Sequence, residues 1–449
     1  MTDTSHPINI PDIEAVHQEL VYRPVDQLKP YKGNARCHST RQITALAAAY
    51  KKFGFRGAVL INEEDTILAG HGRVDAAKLA EFTTIPAILV KGLSKAEEKA
   101  FVLSDNRLSE LSEWDDDLLK IELDMLVQED FAVETTGFST AEIDLILDDT
   151  PQHKAEDPDE LKPEDVPEVV VSNEGDIWIL GKHRLVCGSA LEQGPYIDVM
   201  EDKPAQMCIT DPPYNVPIDK NVCGTGNIKH DEFVMASGEM DTKQFTGFLK
   251  TALTHTAEFM GDGAIAFVCM DWRHQRELLD AAEPVFGAPR QMCVWVKDNG
   301  GMGTFYRSQH ELVYVFKNGT AKHINNFELG QHGRYRTNVW NYPGCNTFKG
   351  NGHELLKLHP TVKPTGLIAD AIRDCRKRAG LVIEPFASSG TILVASERTG
   401  RCARAIELDP RYVDVAIRRW QRATGKDAIH AASGITYSEM LTMKTSGKD

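Results

Sequence analysis

The sequence predicts an α/β protein, in which a parallel sheet with helices on both faces is preceded by a smaller α+β domain. In the second half of the chain, short and continuously apolar runs alternate with longer helical patterns. Such runs are typical of buried parallel strands joined by helices. In the first half, two short strand patterns lead into an Ala-rich helix and a further apolar segment. With 449 residues, the chain is long enough for both domains to bury a core.

Composition and charge narrow the class of protein. The nine cysteines include no Cys-x-x-Cys pair, which favours reduced thiols over a disulfide frame or a zinc ribbon, and no metal site is predicted. The N-terminus lacks a signal sequence and no apolar run reaches membrane-spanning length, so we expect a cytoplasmic protein with no membrane partner. The net charge of −16 by itself disfavours a nucleic-acid partner. Arg and Lys gather between about residues 289 and 425, however, so a local basic surface for nucleic acid is still expected.

Shifts in composition predict the domain order. A short helical tail follows the first domain, and an acidic, Pro-rich linker separates it from the second. The predicted ranges are 1–19 for an extended or disordered N-terminus, 20–149 for the first domain with its tail, 150–172 for the linker, 173–430 for the second domain and 431–449 for a C-terminal tail.

In the first domain, residues 58–62 and 66–69 predict a hairpin, and the turn Gly70-His71-Gly72-Arg73 then opens a helix. A glycine-flanked turn at a helix start exposes backbone N–H groups, and Arg73 adds a guanidinium, so this turn suits a phosphate. A plain strand-to-helix turn would show the same pattern.

This domain resembles the ParB-like N-terminal domain. Four segments carry the resemblance, in matching order and spacing: Asn34-Ala35-Arg36-Cys37-His38-Ser39, Gln42-Ile43, Ala69-Gly70-His71-Gly72-Arg73 and Ser104-Asp105-Asn106-Arg107-Leu108. In that family the Gly-x-x-Arg box cradles nucleotide phosphates, with CTP the established case. The resemblance therefore implies a nucleotide such as CTP at Gly70, Gly72 and Arg73, with Arg36 and Asn106 as further candidates. Relatives described as nucleases, kinases or scaffolds leave the role of the domain open.

The segment Asp211-Pro212-Pro213-Tyr214 follows an apolar run at residues 205–209 and is the first candidate for a reaction centre. Catalytic residues favour the edge of an α/β sheet where strands end. The prolines carry no N–H, so the Asp211 carboxylate and the Pro212 carbonyl can each accept a hydrogen bond from an exocyclic amino group. Tyr214 offers a face for stacking, which suits a planar base swung out of a duplex. A strand-terminating turn is the alternative.

Helices and apolar strands alternate around this motif, after a hairpin at residues 175–188. The pattern predicts a mobile loop at 215–239, a helix at 242–259, a strand at 264–269, a helix after Trp272 and strands at 292–296 and 311–316, in a parallel sheet.

From about residue 298 to 358 the regular pattern lapses, and basic, amide and aromatic side chains interleave. Arg and Asn can read base edges through paired hydrogen bonds. The candidates for DNA recognition are Arg307, Arg334, Arg336 and Asn338. A surface insertion would have the same composition, and the neighbouring base-sized pocket favours recognition.

A second strand end supplies a candidate cofactor site. The strand at residues 381–384 runs into the small-residue turn Pro385-Phe386-Ala387-Ser388-Ser389-Gly390-Thr391, which opens a helix. Such a turn lets a ligand approach the backbone at a helix N-terminus. The next strand ends at Glu407, whose carboxylate can accept both ribose hydroxyls of a nucleoside cofactor.

Together these motifs resemble the amino-group DNA methyltransferases that use S-adenosylmethionine. The resemblance covers about residues 175–425, includes His359-Pro360-Thr361-Val362-Lys363-Pro364, and has the permuted motif order of the β group. It implies a Rossmann-like S-adenosylmethionine-dependent methyltransferase sheet with a small inserted recognition segment. The implied catalytic residues are Asp211, Pro212, Pro213 and Tyr214. The implied cofactor-binding residues are Asp211, Thr361, Lys363, Pro364, Phe386, Ala387, Ser388, Gly390, Thr391 and Glu407.

Two positions depart from the family motif Asp-Pro-Phe-x-Gly-Ser-Gly. Glu384 stands for the Asp and Ser388 for the first Gly. A Cβ at Ser388 is expected to crowd the cofactor or to require a strained φ. A weakened enzyme, or an adaptor that binds DNA or nucleotide without catalysis, is therefore one alternative.

The activity that the resemblance implies is methylation of N6 of adenine at a specific site in double-stranded DNA. The base is flipped and the methyl group is transferred directly and in line, so Cys208 is assigned to the core rather than to a covalent step. Asp-Pro-Pro-Tyr favours adenine, although N4 of cytosine presents the same amine geometry. Methylation of a protein or RNA amide is a third alternative, which the Arg-rich segment disfavours. A bacterial or phage origin and a homodimer are further expectations from the family.

Overall fold

The computed structural model describes residues 18–129, 131–147, 161–216, 235–300, 305–327, 336–344, 362–375 and 377–446. The chain divides into two compact units, Met1–Leu147 and Asp148–Asp449. Within these described ranges, no helix is long and apolar enough to cross a membrane.

The first unit is built on a sheet whose described strands follow the order β1-β4-β2-β3. The strands are β1 (Gln18–Pro24), β2 (Val59–Ile61), β3 (Ile67–Ala69) and β4 (Thr84–Val90). Strands β2 and β3 pair antiparallel, as expected for the predicted hairpin. Alternate apolar side chains of the strands form the core, and those at most 2% exposed include Val59, Ile61, Ile67, Ile85 and Ala87.

The helices described in this unit are α1 (Thr40–Phe53), α2 (His71–Leu79), α3 (Lys95–Leu108), α4 (Asp116–Gln128) and α5 (Thr140–Leu147). Helix α3 begins with a capping box, in which Ser94 and Glu97 satisfy each other's backbone N–H groups. Helix α2 begins at Gly70, whose φ of 97° lies in the left-handed region that glycine adopts readily.

A larger sheet organises the second unit, and its described strands follow the order β11-β9-β10-β8-β7-β12-β13-β6-β5-β14. The strands are β5 (Ile177–Leu180), β6 (His183–Cys187), β7 (Ala205–Thr210), β8 (Met260–Met270), β9 (Gln291–Val296), β10 (His310–Lys317), β11 (Val339–Asn341), β12 (Leu381–Glu384), β13 (Cys402–Glu407) and β14 (Ile429–His430). The central strands β8-β7-β12-β13-β6 run parallel.

Helices cover both faces of this sheet, as predicted. They are α6 (Gln193–Met200), α7 (Thr242–Glu258), α8 (Gln275–Phe286), α9 (Thr365–Cys375), α10 (Thr391–Thr399), α11 (Pro410–Thr424) and α12 (Tyr437–Ser446). Side chains of α9 to α12 join one buried cluster together with Met207 and Ile209 of β7. Side chains of α6 to α8 join the other together with Cys208, which is therefore a core residue, as expected.

Strand β10 departs from the prediction of a wholly parallel sheet. It pairs antiparallel with both β8 and β9. The described residues between β9 and β10 include no helix, and a chain that turns back directly gives antiparallel neighbours. An apolar run cannot reveal this difference, because buried strands of either direction have the same composition.

Residues 161–172 differ from the predicted linker, because they pack on the second unit. Leu161 is 6% exposed and Val171 is 0% exposed. The buried Asp165 carboxylate accepts two hydrogen bonds from the Arg422 guanidinium of α11, each at 2.9 Å. Specific ion pairing of this kind is not visible in an acidic, Pro-rich composition.

The predicted C-terminal tail is also folded over its described residues. Just before it, β14 pairs antiparallel with β5. At the start of α12, Tyr437 is 2% exposed and its ring centroid lies 5.5 Å from that of Trp178. The segment therefore contributes to the core of the second unit.

The strand order opens a crevice between β7 and β12. The chain continues from β7 to β8 on one side, and from β12 to β13 on the other. Connections that leave adjacent parallel strands in opposite directions create a crevice at the carboxyl ends of those strands. Asp211 follows β7 and Glu384 ends β12, so both candidate motifs flank this crevice.

Candidate active site

Asp211, Pro212, Pro213 and Tyr214 form the turn after β7. Pro212 is buried, and the other three residues are partly exposed. The Tyr214 hydroxyl donates a hydrogen bond to Asp211 Oδ1 at 2.6 Å, and the Tyr214 ring packs against apolar residues of both clusters. The structure thus directs Tyr214 towards the carboxylate, whereas the sequence predicts an open ring face for stacking.

A network of charges centred on the buried Lys363 surrounds the Asp211 carboxylate. Lys363 Nζ lies 2.5 Å from Asp211 Oδ2 and 3.0 Å from Glu311 Oε2. Lys297 Nζ lies 2.5 Å from the other oxygen of Glu311. The network balances its charge when both lysines and both carboxylates are ionised. It links the tetrad after β7 to the β9–β10 hairpin.

The pKa shifts in this network follow from burial and opposite charge. Burial raises the pKa of Asp211 against the opposing effect of Lys363. Burial alone lowers the pKa of Lys363. The negative charges of Asp211 and Glu311 outweigh this effect and raise the pKa of that ammonium group. Burial also opposes ionisation of Glu311, yet Lys363 and Lys297 lower its pKa to about 2. Lys363 and Glu311 are therefore charged at neutral pH.

A cleft lies between Asp211 of the tetrad and the turn after β12. Its wall is mostly apolar, with Asp211, Lys363 and Glu384 as ionisable groups. The lining residues are Ile209, Thr210, Asp211, Cys269, Val362, Lys363, Ile368, Glu384, Phe386, Ala387, Ser388, Ser389, Thr391 and Ile392.

Ser388 adopts the strained backbone that its side chain predicts. Its φ is 51°, in the left-handed region that favours glycine. This conformation turns the Ser388 N–H towards Glu407, and the N–H donates to Glu407 Oε2 at 2.6 Å. The Asp409 N–H donates to the other carboxylate oxygen at 2.9 Å. Each oxygen keeps a second lone pair for a ligand hydroxyl.

Two more features hold the cofactor turn against α11. Gly390 has a φ of 74°, and a Cβ there would lie 2.5 Å from the Cβ of Ala416 on α11. The buried Arg419 of α11 donates hydrogen bonds to Thr391 Oγ1 at 2.8 Å and to Thr365 Oγ1 at 2.9 Å. Gly390 therefore seats α11 beneath the turn instead of lining the cleft.

The carboxylates at the ends of β12 and β13 both hold protons more tightly than usual. Burial raises the pKa of Glu384 well above its ordinary value, although the Phe386 N–H donates to Glu384 Oε1 at 3.0 Å. Burial likewise raises the pKa of Glu407 to about 7, against the backbone hydrogen bonds from Asp409, Ser388 and Leu408. A bound cation would favour the ionised form of each.

The structure brings most of the candidate cofactor residues together. Those that line the cleft are Asp211, Lys363, Phe386, Ala387, Ser388 and Thr391. Pro364 is buried beside Lys363, Gly390 lies beneath the turn, and Glu407 lies behind Ser388. Thr361 lies outside the described residues.

Arg336 is a correction to the predicted recognition residues. Its guanidinium lies 2.6 Å from Asp370 Oδ2 and 3.2 Å from Asp374 Oδ2, both on α9. It also lies over the Trp340 ring, 5.1 Å from the centroid. A partly buried arginine with two carboxylate partners holds β11 against α9 and is not available to read a base.

The other recognition candidates keep that role as predictions. Arg307 is exposed and donates to the Gly300 carbonyl at 2.6 Å. Asn338 is exposed, but its amide donates to the Met292 carbonyl at 3.1 Å, next to the outermost strand β11. Four strand spacings separate β11 from β7, or roughly 19 Å. Arg334 lies outside the described residues.

In the first unit, Gly70, Gly72 and Arg73 lie together at the start of α2. Arg73 is exposed and donates to the carbonyl just before β2 at 2.7 Å. Arg36 donates to the Asn106 carbonyl at 2.9 Å. The Gly-flanked turn opens α2 as the sequence predicts, and nucleotide binding by these residues stays a prediction.

Sequence reasoning missed the roles of Lys297 and Glu311. Lys297 directly follows β9 and Glu311 lies at the start of β10, so only the antiparallel register brings them together. Opposite charges at the two ends of adjacent apolar runs are the one signal that could have suggested the pair.

Comparisons with known proteins match both parts of the chain. Residues 205–418 match the model of a family described as DNA methylase. Residues 117–174 match the ParB-methyltransferase HTH domain, across the predicted helical tail and linker.

Two curated relatives illustrate the two parts. ParB-like nuclease domain-containing protein YnaK of Escherichia coli (strain K12) is 43% identical over 81 residues, which cover 18% of this chain and 93% of that protein. Type II methyltransferase M.HpaI of Haemophilus parainfluenzae is 21% identical over 250 residues, which cover 53% of this chain and 73% of that protein.

Two solved structures are similar at low identity. PvuII DNA methyltransferase (cytosine-N4-specific) has a TM-score of 0.42 and 14% identity, covering 59% of this chain and 92% of that one. TTHA0409, a DNA modification methylase from Thermus thermophilus complexed with S-adenosyl-L-methionine, has a TM-score of 0.36 and 18% identity, covering 57% of this chain and 96% of that one.

The family matches confirm the resemblance read from the tetrad, the cofactor turn and the ParB-like segments. The parallel central sheet with helices on both faces confirms the predicted fold class. The chain thus carries a DNA methylase domain of the N6/N4 type over residues 205–418, with a ParB-like region fused ahead of it.

Proposed function

We propose that this chain transfers the methyl group of S-adenosylmethionine to N6 of adenine at a specific site in double-stranded DNA. The observation that carries the proposal is the shared cleft of Asp211 and the 386–391 turn, at the carboxyl ends of the adjacent strands β7 and β12. One side of this cleft presents a carboxylate acceptor for an amine, and the other presents a turn suited to a nucleoside cofactor.

The residues of the cleft fit S-adenosylmethionine. Its sulfonium and ammonium groups are cationic, and Asp211 and Glu384 are the acidic groups of the lining. Its ribose hydroxyls have acceptors in Glu407, and apolar lining residues suit its adenine ring. When bound, it supplies an electrophilic methyl group.

The residues of the tetrad orient the target amine. Asp211 Oδ1 and the Pro212 carbonyl accept its two N–H groups once the Tyr214 hydroxyl has moved off Oδ1. Glu311, 3.0 Å from Lys363 Nζ, keeps that lysine paired while Asp211 binds the amine. The raised pKa of Asp211, caused by burial, suits this carboxylate to take up the proton that the methylated amine releases.

The test is expression in a host that lacks DNA methylases, followed by single-molecule sequencing of the host genome. We expect N6-methyladenine in one short motif. N4-methylcytosine would change only the base, because its amine has the same geometry. A soluble, folded protein that leaves no modification would favour the adaptor alternative, in which strain at Ser388 weakens cofactor binding.

Asp211→Ala should lower methyl transfer by about 100-fold or more, as expected when a preorganised group at the reacting atom is lost. Exposed Asp280 on α8 offers a matched control, and Asp280→Ala should transfer at the wild-type rate. Transfer to the mapped motif with tritiated cofactor measures both. A wild-type rate for Asp211→Ala would contradict the assignment.

We also propose that the first unit binds a nucleotide such as CTP through Gly70, Gly72 and Arg73. The support is the glycine-flanked start of α2 with an exposed guanidinium beside it. Backbone N–H groups at a helix N-terminus favour a phosphate.

A further inference from the structure

Phe305 and Tyr306 form an exposed aromatic pair in the second unit. Their side chains are 85% and 88% exposed, more than any other large apolar side chain in the described ranges. The two ring centroids lie 4.4 Å apart. Water around two adjacent aromatic rings is unfavourable, and such a pair often marks a binding surface.

The register of the sheet places this pair beyond the catalytic strand end. Thr210 at the end of β7 pairs with Val268, Val268 pairs with Tyr314, and Tyr314 pairs with Met292. Strands β9 and β10 continue four residues past this level, to Val296 and His310. The β9–β10 hairpin therefore extends past the end of β7, where Glu311 Oε2 lies 3.2 Å from the Tyr214 hydroxyl. The pair lies in the segment that connects the two strands beyond this contact.

The base of the same hairpin is tied to the catalytic carboxylate. Lys297 and Glu311, at the ends of β9 and β10, form the ion pair that continues through Lys363 to Asp211. The hairpin that carries the aromatic pair is therefore held in place relative to the tetrad.

A second aromatic group lies on the neighbouring strand end. Met270, the last residue of β8, pairs with Leu312, so Trp272 follows at about the level of His310. Trp272 is 49% exposed, and the Arg273 guanidinium lies 4.9 Å from the centroid of its ring. Exposed rings with arginines beside them, as with Arg307 after the first pair, suit stacked bases and their phosphates.

We propose that Phe305 and Tyr306 enter the base stack of double-stranded DNA where the target base leaves it. The inference rests on the proposed function, since a flipped base leaves an unstacked gap in the duplex. The two rings are in contact and inclined at 58° to each other, and each presents a face that can replace the lost stacking, as apolar wedges do when they enter base steps. Arg307 then contacts the adjacent phosphate backbone of the DNA.

The test is Phe305→Ala with Tyr306→Ala in the full chain, on two duplexes that carry the mapped motif. One has the target base correctly paired, and the other has it opposite an abasic site, where it is already easy to extrude. We expect kcat/KM to fall at least tenfold on the paired duplex and to stay within twofold of wild type on the abasic one. Tyr22→Ala removes a ring that is 66% exposed in the first unit, and it should change neither value.

A second readout follows the base itself. With 2-aminopurine at the target position, wild-type protein should raise the fluorescence of the duplex, and the double variant should raise it by less than a third as much. Equal losses on both duplexes, or an unchanged fluorescence rise, would overturn the wedge. Conversion of a dimer into a monomer by the double variant would overturn it as well, in favour of a contact between copies.

The two proposals fail in different ways. If the wild-type protein methylates DNA and the double variant flips the base normally, only the proposal that Phe305 and Tyr306 enter the base stack is overturned. Wild-type flipping without transfer overturns the proposed methylation and supports the wedge. A wild-type protein that neither flips nor modifies DNA overturns both.

Discussion

Ser388 shows how one residue can set the geometry of a cofactor site. A non-glycine residue with a left-handed backbone carries about 1–2 kcal/mol of strain. Here that conformation aims the Ser388 N–H at Glu407, and Ser388 itself lines the cleft. The same residue therefore positions an acceptor for the cofactor and narrows the space beside it.

We expect Ser388→Gly to raise the free energy of unfolding by about 0.5–1 kcal/mol. The relief of strain exceeds the larger conformational entropy of glycine in the unfolded chain. S-adenosylmethionine should also bind more tightly, because the Cβ no longer occupies the cleft wall. Urea unfolding and titration calorimetry measure the two effects.

Ala379→Gly is the matched control. Ala379 has a φ of 55° and is absent from the cleft lining, so it carries similar strain without the steric effect. This variant should gain stability and keep the wild-type affinity. If Ser388→Gly also keeps the wild-type affinity, the Cβ does not limit cofactor binding.

At the residue scale, a side chain could be assigned from sequence where one local pattern decides its position. Asp211 and Glu407 each follow an apolar run, so their placement at strand ends needs only the strand pattern. Arg336 could not be assigned in this way. Its carboxylate partners lie on α9, far along the chain. The sequence alone does not distinguish an arginine in a structural ion pair from one that reads a base.

At the element scale, β12 and β13 both end in carboxylates that hold protons more tightly than an exposed glutamate does, and Glu407 stays partly protonated near neutral pH. Burial raises the pKa of Glu384 well above its usual value and that of Glu407 to about 7. A cationic ligand lowers the pKa of a nearby carboxyl group, since it favours the charged form. Protons and S-adenosylmethionine therefore compete.

We expect S-adenosylmethionine to bind with release of protons at pH 7, and its affinity to rise between pH 6 and 8. The sign follows because the free site holds more protons than the occupied one, so raising the pH favours the occupied site. Calorimetry at pH 7 in buffers of different ionisation enthalpy counts the released protons. Glu407→Gln should remove the share of the released protons that comes from Glu407, and a pH-independent affinity would refute the competition.

Elements were predictable where local periodicity decides them, and less so where distant pairing does. The helix at α7 and the strands at β7 and β12 follow directly from apolar spacing. The direction of β10 does not, since it depends on how the chain returns from β9. Residues 161–172 look like a linker in composition, yet the ion pair of Asp165 with Arg422 holds them on α11.

At the scale of the whole molecule, two units with separate sheets carry two separate candidate sites. Composition could predict this division, because the chain is long and its motifs fall into two families. The net charge of −16 could not predict either site, since the groups that matter lie at a few strand and helix ends.

We expect Arg73→Ala to lower CTP affinity at least tenfold while the S-adenosylmethionine affinity stays at the wild-type value. The guanidinium supplies charge-assisted hydrogen bonds to a phosphate, and it belongs to the first unit alone. Arg56→Ala, which removes another exposed arginine of that unit, is the control. Titration with each ligand measures both affinities, and an unchanged CTP affinity in Arg73→Ala would exclude this arginine from the site.

Because of the permuted motif order, Arg419 is synthesised long after the tetrad whose cleft its contacts help to complete. Its guanidinium donates hydrogen bonds to Thr365 at the start of α9 and to Thr391 at the cofactor turn. It therefore links both segments to α11. During synthesis the ribosome delivers Asp211 first and Arg419 about two hundred residues later, so the nascent chain carries its reaction centre long before the cleft can be braced. A chain released early by interrupted translation would hold the tetrad without a finished place for the cofactor, and would be silent on DNA.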